Sequence, residues 1–279
     1  MGVMSIADEL VLFAGCLPAA PFRDFVTAAS SAGFDAVTIW PSMYRRAQSR
    51  ESLDPQTMRQ VLDDSGIRVA AIEACGDWLP DTDDDGRPGP FRSVWRRDQF
   101  FDAAHALSAP CVVAAHLGRG AVDRSAAVDS FGQLCRDAAE HDLRIALEFM
   151  PFSGVPDADT AWHMIADSEC DNAGLVVDTS HLHRSGGITT LAAVPLDRID
   201  VLQLADGPSD PPADLVDEAM FHRAAPGEGE FELASFAARL DAAGLRARVG
   251  PELYRAGWSD GDPTTVAAEL IFATQRVLP

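Results

Sequence analysis

Short apolar runs alternate with longer amphipathic stretches along this chain. The runs are Leu10–Ala14, Ala36–Trp40, Arg68–Ile72, Cys111–Ala115, Arg144–Phe149, Gly174–Asp178, Ile199–Leu204 and Ala247–Glu252. They are continuously apolar rather than alternating, as strands covered on both faces must be. Helical spacing follows at Pro21–Ala32, Asp54–Ser65, Trp95–Leu107, Asp123–His141 and Asp157–Asp167, then briefly near Ile188–Ala193, from about Leu233, and at Pro263–Val277. Ala-Gly segments at Ala32–Asp35 and Ala243–Arg246 mark helix stops, where glycine supplies the left-handed residue. Eight such strand–helix units predict a closed parallel (β/α)8 barrel, with residues 1–279 as one domain. A doubly wound open sheet is the runner-up, but the glycine-rich turn that usually follows its first strand is missing.

Four of the apolar runs carry an oxygen-bearing side chain at their exit: Glu148, Asp178, Gln203 and Glu252. A carboxylate or amide there has no apolar reason to exist. In a parallel barrel all strand ends open at one mouth, so residues on strands five to eight are expected to converge on a single divalent ion. Three carboxylates and one amide oxygen form a hard, anionic shell that suits Mn2+ or Mg2+ and admits Co2+. Zinc usually recruits His or Cys and is the less natural occupant. Taken alone, each residue has a blander reading; Asp178-Thr-Ser, for instance, is also a helix cap.

Other polar and aromatic residues fall near that mouth. His181 lies three positions beyond Asp178, in reach of the ion's water or of substrate, and His116 ends the fourth strand. His222 and Arg223 sit in the loop after the seventh strand, where Arg223 could grip an anion or carbonyl with two donors. Trp40 and Trp258 are candidate pocket walls, while His105, His141 and His163 fall inside predicted helices and read as structural. Two long loops, Gly76–Arg92 and Asp206–Glu230, have the length of lids or specificity loops. Asp81–Gly86 begins like a calcium loop, but Arg92 stands where a bidentate Glu is needed, so an acidic lid is the better reading.

Composition narrows the chemistry. The chain has 279 residues, 47% hydrophobic and 23% charged, which is ordinary for a protein with a large core. Its net charge of -21 disfavours nucleic-acid backbones and anionic membranes. Lysine is absent altogether, which excludes Schiff-base chemistry and a P-loop lysine. The five cysteines are scattered without CxxC spacing and read as buried free thiols in a reducing cytosol. Phe13-Ala14-Gly15-Cys16 resembles a lipoprotein cleavage box, yet acidic residues rather than basic ones precede it, so the run is read as the first strand. No apolar run approaches the ~18 residues of a membrane span. The expected location is therefore cytoplasmic.

The segments Ala146-Leu-Glu148-Phe, Val177-Asp178-Thr-Ser-His181, Val201-Leu-Gln203-Leu-Ala-Asp206-Gly, His222-Arg223-Ala-Ala-Pro226-Gly-Glu-Gly229 and Gly250-Pro-Glu252-Leu resemble, in order and spacing, the xylose-isomerase-like TIM-barrel superfamily of sugar phosphate isomerases and epimerases. That resemblance implies one divalent ion held by Glu148, Asp178, Gln203 and Glu252, with Mn2+ or Mg2+ first and Co2+ or Zn2+ as further options. It also implies a polyhydroxylated carbonyl substrate. The leading expectation is an isomerase or epimerase of a sugar, sugar phosphate or cyclitol ketone acting through an enediolate. Glu148 and Glu252 would serve as the proton-transfer pair on its two faces, with His181 as a further catalytic group and His116, His222, Arg223 and Trp40 around the substrate. Many members have histidine where this chain has Gln203. A glutamine followed by Leu-Ala-Asp resembles bacterial 3-dehydroshikimate dehydratases instead, so a lyase is the alternative, with His181 or His116 as acid. A non-catalytic sugar-binding barrel is a remote third reading. The superfamily's multi-zinc endonucleases fit poorly with Gln203 and an acidic chain. Barrels of this kind often pair, which leaves a homo-oligomer as an open expectation.

Overall fold

The computed structural model describes residues 6–79, 95–254 and 261–279. Eight parallel strands close on themselves in sequence order, each hydrogen-bonded to the next and the last to the first. They are β1 (Ala7–Leu12), β2 (Ala36–Ile39), β3 (Arg68–Cys75), β4 (Cys111–Ala115), β5 (Arg144–Glu148), β6 (Ala173–Asp178), β7 (Ile199–Leu204) and β8 (Ala247–Pro251). This is the predicted TIM barrel. The main helices around it are α1 (Phe22–Ala32), α2 (Pro41–Arg50), α3 (Pro55–Ser65), α4 (Arg97–Leu107), α5 (Arg124–Ala139), α6 (Ala158–Asp167), α7 (Thr179–Arg184), α8 (Leu215–Phe221), α9 (Leu233–Ala243) and α10 (Pro263–Val277).

Side chains alternate between the two faces of each strand, and that parity places the site. Val37 and Ile39, Ile145 and Leu147, Leu175 and Val177, and Leu202 and Leu204 pack outward against the helices. Val11, Ala71, Val113, Ala146, Val176 and Val201 belong to a separate interior cluster that fills the barrel. Two residues further along the same parity come Thr38 on β2 after Ala36, Glu73 after Ala71, Glu148 after Ala146, Asp178 after Val176 and Gln203 after Val201. The barrel is thus apolar in its middle layer and polar at its C-terminal rim. At Gly250 any Cβ would overlap the Val11 carbonyl, so the β1–β8 seam closes only with glycine there. The opposite rim is held by ion pairs, with Glu9 bridging Arg68 at 2.6 Å and Arg248 at 3.1 Å, and Arg144 meeting Asp200 at 2.9 Å.

Helix ends follow the local chemistry. Asp54, Asp123, Asp157 and Asp262 each accept a backbone N–H in the first turn of α3, α5, α6 and α10. Gly33 and Gly244 end α1 and α9 in the left-handed conformation, as the two Ala-Gly segments predict.

Three elements depart from the sequence expectation. Helix α2 fills the gap after β2; it is mostly polar and buries only Pro41, Met43 and Ala47, too sparse an apolar stripe to announce itself. The short helix expected near Ile188–Ala193 is a single 3-10 segment at Gly187–Leu191, preceded by α7 starting directly at Asp178. The loop Asp206–Glu230 contains α8 and is tied down: Arg184 on α7 meets Glu218 on α8 at 2.5 Å, both almost fully buried. Asp206 accepts backbone N–H groups of Gly227 and Phe231. The five cysteines are free thiols, and all except the half-buried Cys170 are buried. No described helix is long and apolar enough to cross a membrane. The calcium-like Asp81–Gly86 segment and Trp258 lie outside the described residues.

Candidate metal centre and its cavity

Glu148 at the end of β5, Asp178 at the end of β6 and His181 in the first turn of α7 bring one ligand atom each to within 4.8 Å of one another, all three buried. The sequence places Glu148 and Asp178 there by strand parity. It brings His181 because Asp178 caps α7: its Oδ1 accepts the His181 backbone N–H at 2.8 Å, which folds the chain back over the strand end. Asp178 is thus a helix cap, and this role is compatible with its also holding an ion. His181 Nε2 stands 3.6 Å from Glu148 Oε1.

Arg223, two residues past the end of α8, enters this cluster from above. Its Nη1 donates to Asp178 Oδ2 at 2.9 Å and to the Glu252 carbonyl at 3.0 Å, and its Nη2 lies 3.1 Å from His181 Nε2. A guanidinium only donates, so His181 Nε2 is the acceptor and the imidazole proton sits on Nδ1. Burial pulls the His181 pKa down to about 4, outweighing the attraction of Asp178, so the ring is neutral at neutral pH.

Gln203 lies directly between these groups and β8, paired in register with Asp178 on one side and Gly250 on the other. Its side chain is fully buried and neither amide atom has a hydrogen-bond partner. Glu252, just past the end of β8, lines the same cavity as Glu148 and His181. Its carboxyl is outside the set of three whose ligand atoms meet within 4.8 Å.

The electrostatics fit a cation. Burial first, and the nearby Asp178 second, push the Glu148 pKa up to about 8; Arg223 pulls the other way. Burial, then Glu73 and Glu148, raise Glu252 well above the carboxylate range. Glu73 is pushed up to about 7, chiefly by burial. Three carboxyls, Glu73, Glu148 and Glu252, are thus raised beside one arginine, and they hold protons because positive charge is short. The donor set of carboxylates, one amide, one neutral imidazole and no thiol suits a divalent ion of hard to intermediate character. The partnerless Gln203 amide is what a site built for an added ligand leaves behind.

A cavity of about 340 Å³ opens over the cluster, lined by Glu73, Glu148, His181, Arg223, Glu252 and Tyr254 among its polar groups. Its remaining wall is apolar and partly aromatic, with Trp40, Met150, Phe152 and Met220 prominent. Trp40 stacks on Tyr254 at 5.8 Å between ring centroids, and Phe152 meets His181 edge-on. Of the expected substrate contacts, Trp40 and Arg223 line this space. His116 is buried behind it, its Nδ1 accepting the Gly154 N–H at 3.0 Å, and is not among the lining residues. His222 is exposed, beside Asp217 at 3.2 Å, and is likewise outside the lining. Glu73, Tyr254 and Phe152 are cavity residues that sequence reasoning passes over. The parity of Glu73 with Ala71 in an otherwise apolar strand was the signal available for the first; nothing local marks the other two.

A barrel of this topology with an acidic, cation-suited rim defines a class, and comparison with known proteins places the chain within it. Residues 26–274 match the family described as xylose isomerase-like TIM barrel, and the chain belongs to that family. It is 27% identical over 254 residues to a 3-dehydroshikimate dehydratase of Pseudomonas aeruginosa, covering 89% of this chain but only 38% of that protein. The chain therefore spans well under half the length of that dehydratase. It is 30% identical over 168 residues to an inosose isomerase of Halalkalibacterium halodurans, covering 59% of this chain and 58% of the isomerase. Among solved structures, the IOLI protein with a bound zinc atom shares the fold, with a TM-score of 0.74 and 19% identity over 96% of each chain. These curated relatives are enzymes, one a dehydratase and one an isomerase.

Proposed function

We propose that this barrel is a divalent-metal-dependent lyase of the 3-dehydroshikimate dehydratase type. It removes the proton next to the carbonyl of a hydroxylated cyclic ketone and expels a neighbouring hydroxyl. The observation that carries this reading is the juxtaposition, in one cavity, of proton-holding acids with flat apolar walls: Glu148 and Glu252, with His181, share the lining with Trp40, Phe152 and Tyr254. Such walls suit the faces of a carbon ring with few hydroxyls better than those of a fully hydroxylated sugar. The likeness to the dehydratase also extends over 89% of this chain, against 59% for the inosose isomerase.

Glu148, Asp178, Gln203 and Glu252 are the proposed ligands, with His181 in reach of the same position. A divalent ion held there supplies Lewis-acid polarisation of the substrate carbonyl. Arg223 fixes Asp178 and His181 in place. Glu148, ionised once positive charge is present, accepts the proton from the carbon beside the carbonyl. It then returns that proton to the departing hydroxyl, which leaves as water, so the protein ends in its starting state.

Epimerisation or isomerisation is the second reading, favoured by one observation: Glu148 and Glu252 both line the cavity, as a proton-transfer pair on two faces requires. Supplying 3-dehydroshikimate and an inosose in turn, with Mn2+ in D2O, separates the two. The lyase reading expects an ultraviolet-absorbing aromatic product from 3-dehydroshikimate. Solvent deuterium beside the carbonyl of the inosose, with no absorbing product from either ketone, would overturn it in favour of the second.

A further inference from the structure

Glu73 is a buried acid that neither proton transfer nor ion binding uses. It sits on β3, two strand positions from Glu148 and three from Asp178 around the closed barrel, so it faces the cluster from the other side of the mouth. It lines the same cavity as Glu148, His181, Arg223 and Glu252. Only 2% of it is exposed. One of its oxygens is fixed by a short relay. The Ala14 N–H donates to Thr38 Oγ1 at 2.8 Å, which leaves the Thr38 hydroxyl proton to point at Glu73 Oε1, 2.5 Å away. The other oxygen, Oε2, is buried and has no hydrogen-bond partner of good geometry, although the Trp40 side chain and the Ala14 N–H lie near enough to the carboxyl to favour its ionised form.

A purely structural carboxyl would not need a second oxygen left bare at a cavity wall. Buried polar atoms are nearly always satisfied, and one held rigidly without a partner marks a place where something else completes the bond. In the metal-loaded protein, where positive charge favours the ionised carboxyl, the bare atom is an acceptor, anchored through its carboxyl by Thr38, in a space that Trp40, Ala74 and Tyr254 also line. What it accepts must be a donor on the bound molecule, and a hydroxyl is the donor a hydroxylated cyclic ketone carries.

We propose that Glu73 is a substrate-positioning and specificity residue. Its Oε2 receives a ring hydroxyl on the β3 side of the cavity while the carbonyl end is held at the β5–β6 cluster. The barrel thereby selects ketones that carry a further hydroxyl beside the chelating pair, in 3-dehydroshikimate the one that departs, over those that lack it. Thr38 acts through Glu73 by holding its orientation. This inference rests on the ketone reading above and adds the residue that discriminates among ketones.

The test uses the full chain loaded with Mn2+ and two probes, 3-dehydroshikimate and 2-hydroxycyclohexanone. The second offers a carbonyl and an adjacent hydroxyl but nothing further. Apparent affinities are read from ligand-dependent melting shifts for wild type, Glu73→Gln and Thr38→Val. Glu73→Gln keeps the acceptor that Thr38 serves and replaces the free oxygen with a donor. It should weaken 3-dehydroshikimate by roughly 10- to 100-fold and leave 2-hydroxycyclohexanone and Mn2+ within about twofold of wild type. Thr38→Val should shift the same preference in the same direction by less. Equal binding of 3-dehydroshikimate by Glu73→Gln and wild type overturns the proposal while leaving the ketone reading in place. Parallel loss of both probes and of Mn2+ shows a structural role and overturns it too. Binding of neither probe by wild type sinks the ketone reading, and this inference with it.

Discussion

Arg223 Nη1 lies 2.9 Å from Asp178 Oδ2, and the two side chains are 3% and 0% exposed. The pair locks the loop after β7 onto the end of β6, and Arg223 is the cation that the cavity-lining residues provide. Truncating one partner of such a pair leaves a buried charge alone. Arg223→Met should therefore destabilise the metal-free protein by about 3 kcal/mol or more. Asp178→Asn in the same chain should recover much of that loss, because the stranded charge is gone. Urea melts of the two single variants and the double variant measure it; strict additivity would show that the pair is not coupled.

The raised acids also make stability depend on pH in a definite direction. Glu148 near 8 and Glu73 near 7 exceed the ordinary 4.5 of an unfolded glutamate. The folded chain therefore keeps protons that the unfolded chain has released, and their contribution is full below about pH 4.5 and lost as pH rises through 7 and 8. Metal-free protein should lose on the order of 5 kcal/mol between pH 5.5 and 8.5. Saturating Mn2+ should flatten the decline, because bound positive charge stabilises the ionised acids. Melts across that range with and without Mn2+ check it, and stability rising with pH in the metal-free state would contradict the assignment.

Gln203 offers a cleaner separation of binding from folding. Its amide atoms are buried without partners, so Gln203→Leu removes an unsatisfied group and should leave metal-free stability unchanged or slightly higher. Mn2+ affinity should fall roughly tenfold or more. Gln203→His should shift preference toward Zn2+, which favours imidazole over amide oxygen. Paired calorimetric titrations with Mn2+ and Zn2+ read both effects, and unaltered Mn2+ binding in Gln203→Leu would remove Gln203 from the ligand set.

Glu148 and Glu252 are expected to differ in role. Replacing the group that moves the proton should cost at least ~100-fold in rate. In a lyase that proton passes through Glu148, so Glu148→Gln should abolish product formation, while Glu252→Gln should be partly restored by higher Mn2+. Equal loss in both, unrelieved by metal, would favour the two-faced transfer of an epimerase.

Much of this was legible in the chain. Eight apolar runs gave the barrel, and the exits at Glu148, Asp178, Gln203 and Glu252 fell on inward positions of β5–β7 or just past β8. What was not legible depended on the third dimension. His181 was placed near the ion by its spacing from Asp178, but its ring's approach to Glu148 and Arg223 was not visible in the chain. His116 and His222 have the right chain positions, but one ring turns behind the wall and the other into solvent. Glu73 was hidden by its setting in a hydrophobic strand, where one carboxyl reads as noise until Thr38 and the cavity are seen around it. Helix α2 was missed because its buried stripe is only three residues wide.

This acid cluster is proposed to hold a divalent ion and to keep protons until it does. Calorimetric titration of metal-free protein with Mn2+ at pH 7, in two buffers of different ionisation enthalpy, tests that most directly. One ion should bind per chain with release of about two protons, from Glu148 and Glu252, the release falling by about one in Glu148→Gln. Failure to bind Mn2+, Mg2+, Co2+ or Zn2+, or binding with no proton release and no response to Glu148→Gln, would contradict it.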